Sequence, residues 1–384
     1  MLKQTFIWGF FLSSFLVWPW SQLFFELPRV WFVRVWIEIL ILFGLVFGLP
    51  HLKKKHHDGA MIGLVLLFVV VGIISGIAGF DSLQSFFGNA FRDDGIFTFM
   101  HLIGLFFFLV LFWKKDWEKE FVSVVALSSL LNGILAVVVG LFFKTSFTGT
   151  FGQNSFLAGY LLVTTPFIAQ AYQDSKKKFN ETVWFCALVL NIFVILLSKS
   201  LGGILGALIL ITGIFLRNTT FSKRQTFYSL LSLGVLSGTV FFFIKISGPF
   251  TFESRERILM RGINAFMQKP LFGWGWANFD HAFRAVEWPI RYNHDVYIDK
   301  AHGIFLELLV TTGIFGLLAY LGILTRFFFR FIRESAVPFY MFLSVFLFVV
   351  HSQTNVISIS EELVFWVILG VTASISPLSR IIKR

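Results

Sequence analysis

Uncharged apolar runs of about 20 residues recur along almost the whole of this chain. A helix of that length crosses the hydrocarbon core of a bilayer and satisfies its own backbone hydrogen bonds there. Only 14% of the residues are charged, whereas a soluble domain carries about a quarter. The runs therefore predict an all-α polytopic membrane protein with about twelve transmembrane helices. We expect residues 1–384 to form a single integral membrane domain.

Lysine and arginine cluster in short segments between the apolar runs. These segments are 53–55, 114–119, 176–178, 217–224 and 326–333. Short basic loops remain on the cytoplasmic side, and about 19 of the 32 Lys and Arg fall there if both termini are cytoplasmic. Orientation in the membrane thus explains most of the net charge of +11, and no nucleic-acid partner is expected.

One long polar segment, 248–302, separates the ninth and tenth apolar runs. The topology predicts that it is an extracytoplasmic loop. It carries basic residues that the positive-inside rule does not explain: Arg255, Arg257, Arg261, Lys269, Arg284, Arg291 and Lys300. Because guanidinium groups match phosphate oxygens, this surplus indicates a phosphate-binding site. Ion pairs with the acidic residues of the same segment are the alternative.

His302 is the sharpest single candidate for catalysis. It lies where the polar segment meets the next apolar helix, at the N-terminus of that helix. The positive end of the helix dipole disfavours imidazolium, which leaves a neutral base available. The free N–H groups of the first turn can also bind an anion. A histidine that only caps the helix explains the position equally well.

Other polar and aromatic residues of the segment allow weaker predictions. His281 and His294 each adjoin an aspartate, but adjacent pairs do not converge without a fold, so no metal site and no cofactor is predicted. Trp274 and Tyr297 could stack on sugar rings or lie in the interfacial aromatic belt. Cys186 is the single cysteine, which excludes a disulfide within the chain.

The long segment and its flanks resemble the bacterial O-antigen ligase and O-antigen polymerase family of GT-C-like membrane glycosyltransferases. The matching residues are, in order, Arg255, the run 270–279 (PLFGWGWANF), the run 299–302 (DKAH) and the run 306–316 (LELLVTTGIFG). Segments 87–95, 152–160 and 351–352, the last assigned to a loop, are similar too. The resemblance therefore extends over nearly the whole chain.

The resemblance implies an inverting, metal-independent glycan transfer from undecaprenyl pyrophosphate to an acceptor hydroxyl. The reaction would occur at the outer face of the bacterial cytoplasmic (inner) membrane, in polysaccharide biosynthesis for the cell envelope, such as lipopolysaccharide. By position, His302 would activate a lipid, glycan or protein acceptor. Pyrophosphate would be bound by Arg255, or by Arg257 or Arg261 in its place, together with Lys199 and Arg92. Glycan or acceptor would be contacted by Trp274, Asn278, Tyr297 and Lys300.

The chain departs from the family pattern near Lys199. Leu201 stands where the family often has an arginine, so Lys199 would supply that charge.

The choice of function remains open among several activities. A ligase, a polymerase of lipid-linked repeat units and a protein O-oligosaccharyltransferase share one class of donor, and all three remain open. A transporter of lipid-linked glycan would place its charges at mid-membrane in related halves. The charges here concentrate on one face, which favours the enzyme.

Overall fold

The computed structural model describes residues 1–18, 25–49, 57–143, 146–246, 255–286, 297–334 and 336–375. Within these ranges the chain forms helices and connecting turns, and no β-strand. The helices are α1 Leu2–Ser13, α2 Glu26–Phe43, α3 Gly59–Ala78, α4 Ser82–Phe87, α5 Ile96–Phe112, α6 Glu118–Phe142, α7 Asn154–Gln173, α8 Lys178–Leu197, α9 Leu201–Arg217, α10 Lys223–Ile246, α11 Arg255–Gln268, α12 Phe279–Ala285, α13 Ile304–Thr311, α14 Gly313–Phe329, α15 Phe339–Ser352 and α16 Ile359–Ala373.

Six helical segments of the described ranges are long and apolar enough to cross a membrane. They are Glu26–Gly48, Gly59–Ala78, Lys115–Phe142, Lys178–Leu197, Lys223–Ile244 and Gly313–Glu334. Shorter apolar helices lie at Ile96–Phe112, Leu201–Arg217 and Phe339–Ser352. The all-helical membrane class predicted from the sequence is confirmed, whereas the count of about twelve spans stays a prediction.

Helix α7 lies inside the bundle, packed against α6, α8 and α15. Every residue from 156 to 169 is buried, as expected for a helix that is surrounded by others on all sides. Glycines allow close approach of the neighbouring helices. A Cβ atom at Gly206 would lie 2.6 Å from Leu162, and one at Gly213 would lie 2.6 Å from Leu343.

The polar segment predicted as a loop contains two helices, α11 and α12. They form because their apolar side chains share a small core with the residues around α13, including Ile258, Phe279, Phe283 and Val310. Gly273 has φ +71, and its backbone passes within contact of Thr311 where no side chain would fit. The described part of the segment is thus packed onto the bundle. Its extracytoplasmic position stays a prediction.

Candidate functional site

A cavity of about 150 Å³ lies at the N-terminal end of α13, bounded also by α2, α3, α5, α14, α15 and α16. Its charged and titratable lining residues are Glu26, Arg92, Asp94, Lys300, His302, Glu307 and Glu362. Aromatic rings complete the wall: Phe68, Phe99, Trp276, Tyr320, Phe348, Phe365 and Trp366. Three residues predicted from the sequence, His302, Arg92 and Lys300, therefore meet at one cavity.

His302 has an unusual backbone conformation. Its φ is +54, in the left-handed region, which costs energy for a residue with a side chain and is often found at functional sites. It precedes Gly303, the N-cap of α13, which makes no side-chain capping hydrogen bond. The predicted position at a helix N-terminus is therefore correct, with the first-turn N–H groups uncapped by that residue.

Lys300 holds the segment in front of His302. Its ammonium pairs with Asp94 and lies 3.3 Å from Glu307 Oε1. The Ala301 N–H donates to Glu307 Oε2 at 2.7 Å. Burial raises the pKa of Asp94, but the Lys300 charge outweighs it and lowers that pKa. Burial lowers the pKa of Lys300, and the two carboxylates raise it above its usual range. The Lys300 ammonium is therefore charged and lies between the carboxylates of Asp94 and Glu307.

Among the arginines that the structure describes, Arg92 lines the cavity. Its Nε donates to Asp299 Oδ2 at 2.5 Å, and its guanidinium lies 5.7 Å from the centre of the Phe156 ring. Burial lowers the pKa of Arg92, but Asp299 outweighs it and raises that pKa. Within the described residues no hydrogen bond involves its two Nη groups. These donors are available to an anion in the cavity.

Carboxylates at the cavity were missed by the sequence analysis. Glu362 lines the cavity from the first turn of α16, and its carboxylate has no hydrogen bond or ion pair among the described residues. Glu26 accepts the Ile359 N–H at 2.5 Å. The available signal was an acidic residue at the start of an apolar run, since an acid placed there must face a polar space or a partner.

The three arginines of α11 do not line the cavity. Arg257 and Arg261 are buried, with guanidinium carbons 5.7 and 4.5 Å from the centre of the Phe283 ring. Arg261 Nη1 also donates to the Phe283 carbonyl at 3.3 Å. Arg255 is half-buried at the start of the helix. The structure therefore separates this group from the cavity wall that holds His302.

Helix α11 nevertheless packs beside α13. A Cβ atom at Gly262 would lie 3.1 Å from Leu306. Further along the chain, Trp274 Nε1 donates to the Ala265 carbonyl, and the Trp274 backbone N–H donates to the Val310 carbonyl. Arg255 precedes Gly262 by about 10 Å of helix. The arginines of α11 therefore lie on a helix that packs against α13, and α13 lines the cavity.

Trp274 and Asn278 are buried and lie outside the cavity wall. Trp274 Nε1 donates to the Ala265 carbonyl at 2.8 Å. Asn278 Nδ2 donates to the Asp81 carbonyl at 3.0 Å and to Ser85 Oγ at 2.8 Å. Trp274 thus connects two parts of the polar segment, and Asn278 connects the segment to the region of α4. Both side chains stabilise the fold of the segment.

Lys199 and Tyr297 are exposed and also lie outside the cavity wall. Lys199 has φ +56 in the turn between α8 and α9. A Cβ atom at Gly202, in the first turn of α9, would lie 2.5 Å from Asn355, which lines the cavity. The Tyr297 hydroxyl donates to Asp280 Oδ2 at 3.3 Å. Burial and the Asp280 charge raise the pKa of Tyr297 to about 12.

The other histidines that the structure describes have structural partners. His281 Nε2 lies 3.1 Å from Gln84 Oε1, and His294 lies outside the described residues. His351 was assigned to a loop, which is wrong: it belongs to α15 and is fully buried, 2.8 Å from Glu361 Oε2. Helices α15 and α16 pack closely enough to bury both the His351 imidazole and the Glu361 carboxylate. No group of three or more metal-ligating side chains converges within the described ranges.

Comparison with known proteins gives one informative match. The family model described as O-antigen ligase matches residues 186–321. The matched region contains α11, α12, α13 and His302, whereas Arg92 and Glu362 lie outside it. No curated protein matches the chain.

Proposed function

We propose a function from the premise that this chain is a member of the O-antigen ligase and polymerase family. The members of this family are membrane glycosyltransferase-like enzymes. The finer proposal is that this one moves a glycan from undecaprenyl pyrophosphate to an acceptor hydroxyl. The observation that carries it is the meeting of His302 with the donor-rich guanidinium of Arg92 at one cavity.

Arg92 is the proposed ligand of the pyrophosphate. Its Nη groups can form two parallel hydrogen bonds to phosphate oxygens, a geometry that a lysine does not offer. The uncapped first turn of α13 adds N–H groups and the positive end of a helix dipole. Arg255, Arg257, Arg261 and Lys199 contribute longer-range positive charge. Lys300 is committed to its two carboxylates, so its proposed role is to position His302.

His302 is the proposed base. It takes the proton of the acceptor hydroxyl, and the oxygen attacks the anomeric carbon from the face opposite the pyrophosphate. The carbon–oxygen bond to the pyrophosphate breaks, and its electron pair leaves with the phosphate oxygen. Arg92 stabilises the added negative charge. A pyrophosphate needs no protonation to leave, so one base and a cationic site suffice, and the configuration is inverted.

The carboxylates of Glu26 and Glu362 fit the acceptor side of this proposal. Carboxylate oxygens accept hydrogen bonds from sugar hydroxyls, and Glu362 has no partner among the described residues. We place the cavity at the outer face of the bacterial inner membrane, with both termini cytoplasmic, because of the basic loops. A ligase, a polymerase and a protein O-oligosaccharyltransferase all fit this geometry.

The test is glycan transfer by the purified protein in liposomes. Lipid-linked glycan and candidate acceptors are supplied, and products are identified by mass. His302→Ala is expected to reduce the rate by about 10²–10⁴-fold, with unchanged expression and unfolding. The matched control His281→Ala removes a histidine bonded to Gln84 and should retain activity.

Three results would contradict the proposal. Full transfer by His302→Ala would remove the catalytic assignment. Loss of activity on chelating divalent ions would instead favour a metal site that includes His281 and His294, since we expect chelators to leave the rate unchanged. Movement of lipid-linked glycan across the bilayer without a covalent product would favour the transporter.

A further inference from the structure

Helix α11 exposes apolar residues on the side that does not pack against the protein. Its buried residues are Arg257, Ile258, Arg261, Gly262 and Ala265. Its exposed face carries an apolar stripe that continues just past the helix, formed by Met260, Ile263, Met267 and Leu271, with exposed fractions of 37%, 40%, 68% and 55%. A helix in water turns charged residues outward and apolar residues inward. The stripe therefore requires an apolar surrounding that the described chain does not supply.

The end of the stripe adjoins a membrane-crossing helix. The Phe315 N–H approaches the Leu271 carbonyl at 3.5 Å, and the Ile314 N–H donates to the Pro270 carbonyl at 2.9 Å. The Phe272 and Phe315 rings lie 5.3 Å apart. Phe315 is itself 44% exposed in the first turns of α14, where the segment Gly313–Glu334 enters the membrane. The apolar surface is thus continuous from α14 onto α11.

We propose that the stripe of α11 lies in the bilayer interface, in the leaflet on the side where α14 begins. A large apolar face flanked by polar and basic residues is typical of helices that lie in the membrane plane. Asn264 and Gln268 are exposed beside the stripe. Their polar groups reach the headgroup layer while the stripe contacts acyl chains. Continuity with α14 makes lipid, rather than a protein partner, the occupant.

This surface anchors the arginine-bearing helix at a defined depth. With the stripe of α11 in the interface, Arg257 and Arg261, which flank it on the buried side of the helix, are held near the plane of lipid phosphates. The contact of α11 with lipid does not depend on glycan transfer, so a protein without transfer activity would still place this helix in the interface.

The experiment uses nitroxide labels on single cysteines in liposomes. Cys186 is the only cysteine, so Cys186→Ala provides the background. The test variants are Met267→Cys and Ile263→Cys. Phe315→Cys is the lipid-facing reference, and Ala285→Cys, exposed in α12, is the aqueous reference. Each label is relaxed with oxygen, which concentrates in lipid, and with a nickel chelate, which remains in water.

We expect the ratio of oxygen to nickel accessibility at positions 263 and 267 to match that at Phe315 and to exceed that at Ala285. Two results would overturn the proposal. A ratio equal to that at Ala285 would place the stripe in water. Protection from both reagents would indicate a protein partner or a second copy of this chain. Two stripe positions are labelled so that misfolding of one variant does not remove the test.

Discussion

Lys300→Met removes the central charge of the site while nearly preserving the length of the side chain. The Lys300 side chain is 16% exposed, pairs with Asp94 and lies 3.3 Å from Glu307. One pair at that distance is worth about 5 kcal/mol at an effective dielectric constant of about 20. Removing one partner of a buried pair costs about 3–5 kcal/mol, because the other charge stays buried. We therefore expect the free energy of unfolding of Lys300→Met to be about 3–5 kcal/mol lower than that of the parent protein.

The loss should depend on pH in a defined direction. In the parent protein Lys300 holds the pKa of Asp94 below its ordinary value of 3.8. This carboxylate therefore stabilises the fold above that pH, and its contribution is lost only as the pH falls through the depressed pKa. In the variant, burial without the ammonium raises the pKa, so acidification neutralises the carboxylate and relieves the penalty. The difference between parent and variant should shrink from about pH 7 to about pH 4.

Unfolding of the purified protein in mild detergent, titrated with SDS and followed by circular dichroism, measures both effects. The matched control is Lys269→Met in the same polar segment. The Lys269 ammonium lies 4.6 Å from the centre of the Trp274 ring rather than between carboxylates, so its loss should cost about 1 kcal/mol or less. A loss for Lys300→Met no larger than this, or one independent of pH, would refute the reasoning.

Three further variants test other contacts by the same unfolding assay, and for Trp274 the transfer assay is added. Glu361→Ala leaves His351 buried without its partner at 2.8 Å and should cost about 3 kcal/mol or more. Ser358→Ala removes the helix cap and the hydroxyl that donates to Glu361 Oε1 at 3.1 Å, but keeps the contact of Glu361 with His351, and should cost about 1 kcal/mol; equal losses would count against the buried pair. Trp274→Phe removes the bond to the Ala265 carbonyl and should cost about 1–3 kcal/mol without changing KM for donor or acceptor. A raised KM at unchanged stability would instead indicate a glycan contact.

The helices and the position of His302 could be predicted because their signals are local. A run of apolar residues must become a helix wherever it meets lipid, whatever its neighbours are. The junction between a polar segment and an apolar run likewise marks a helix N-terminus, and α13 begins two residues after His302. The family resemblance at Arg255 and at the runs 270–279 and 299–302 also depends only on order along the chain.

The choice among the basic residues could not be predicted in this way. Arg255, Arg257 and Arg261 look like a phosphate site in the sequence, yet α11 turns Arg257 and Arg261 against Phe283. Residue order shows that the arginines share a segment. It does not show whether that segment forms a helix, or which helix face packs inward, because packing on α13 decides both.

By itself the sequence determined the chemical class of the chain: membrane helices, one polar segment and a histidine at its end. Only the tertiary structure decided which charges meet. Arg92 and Asp299 are 207 positions apart, and Glu362 reaches the same cavity from the last described helix. The physical reason is that bilayer insertion acts on each run separately, whereas a cavity forms from side chains that separate helices bring together.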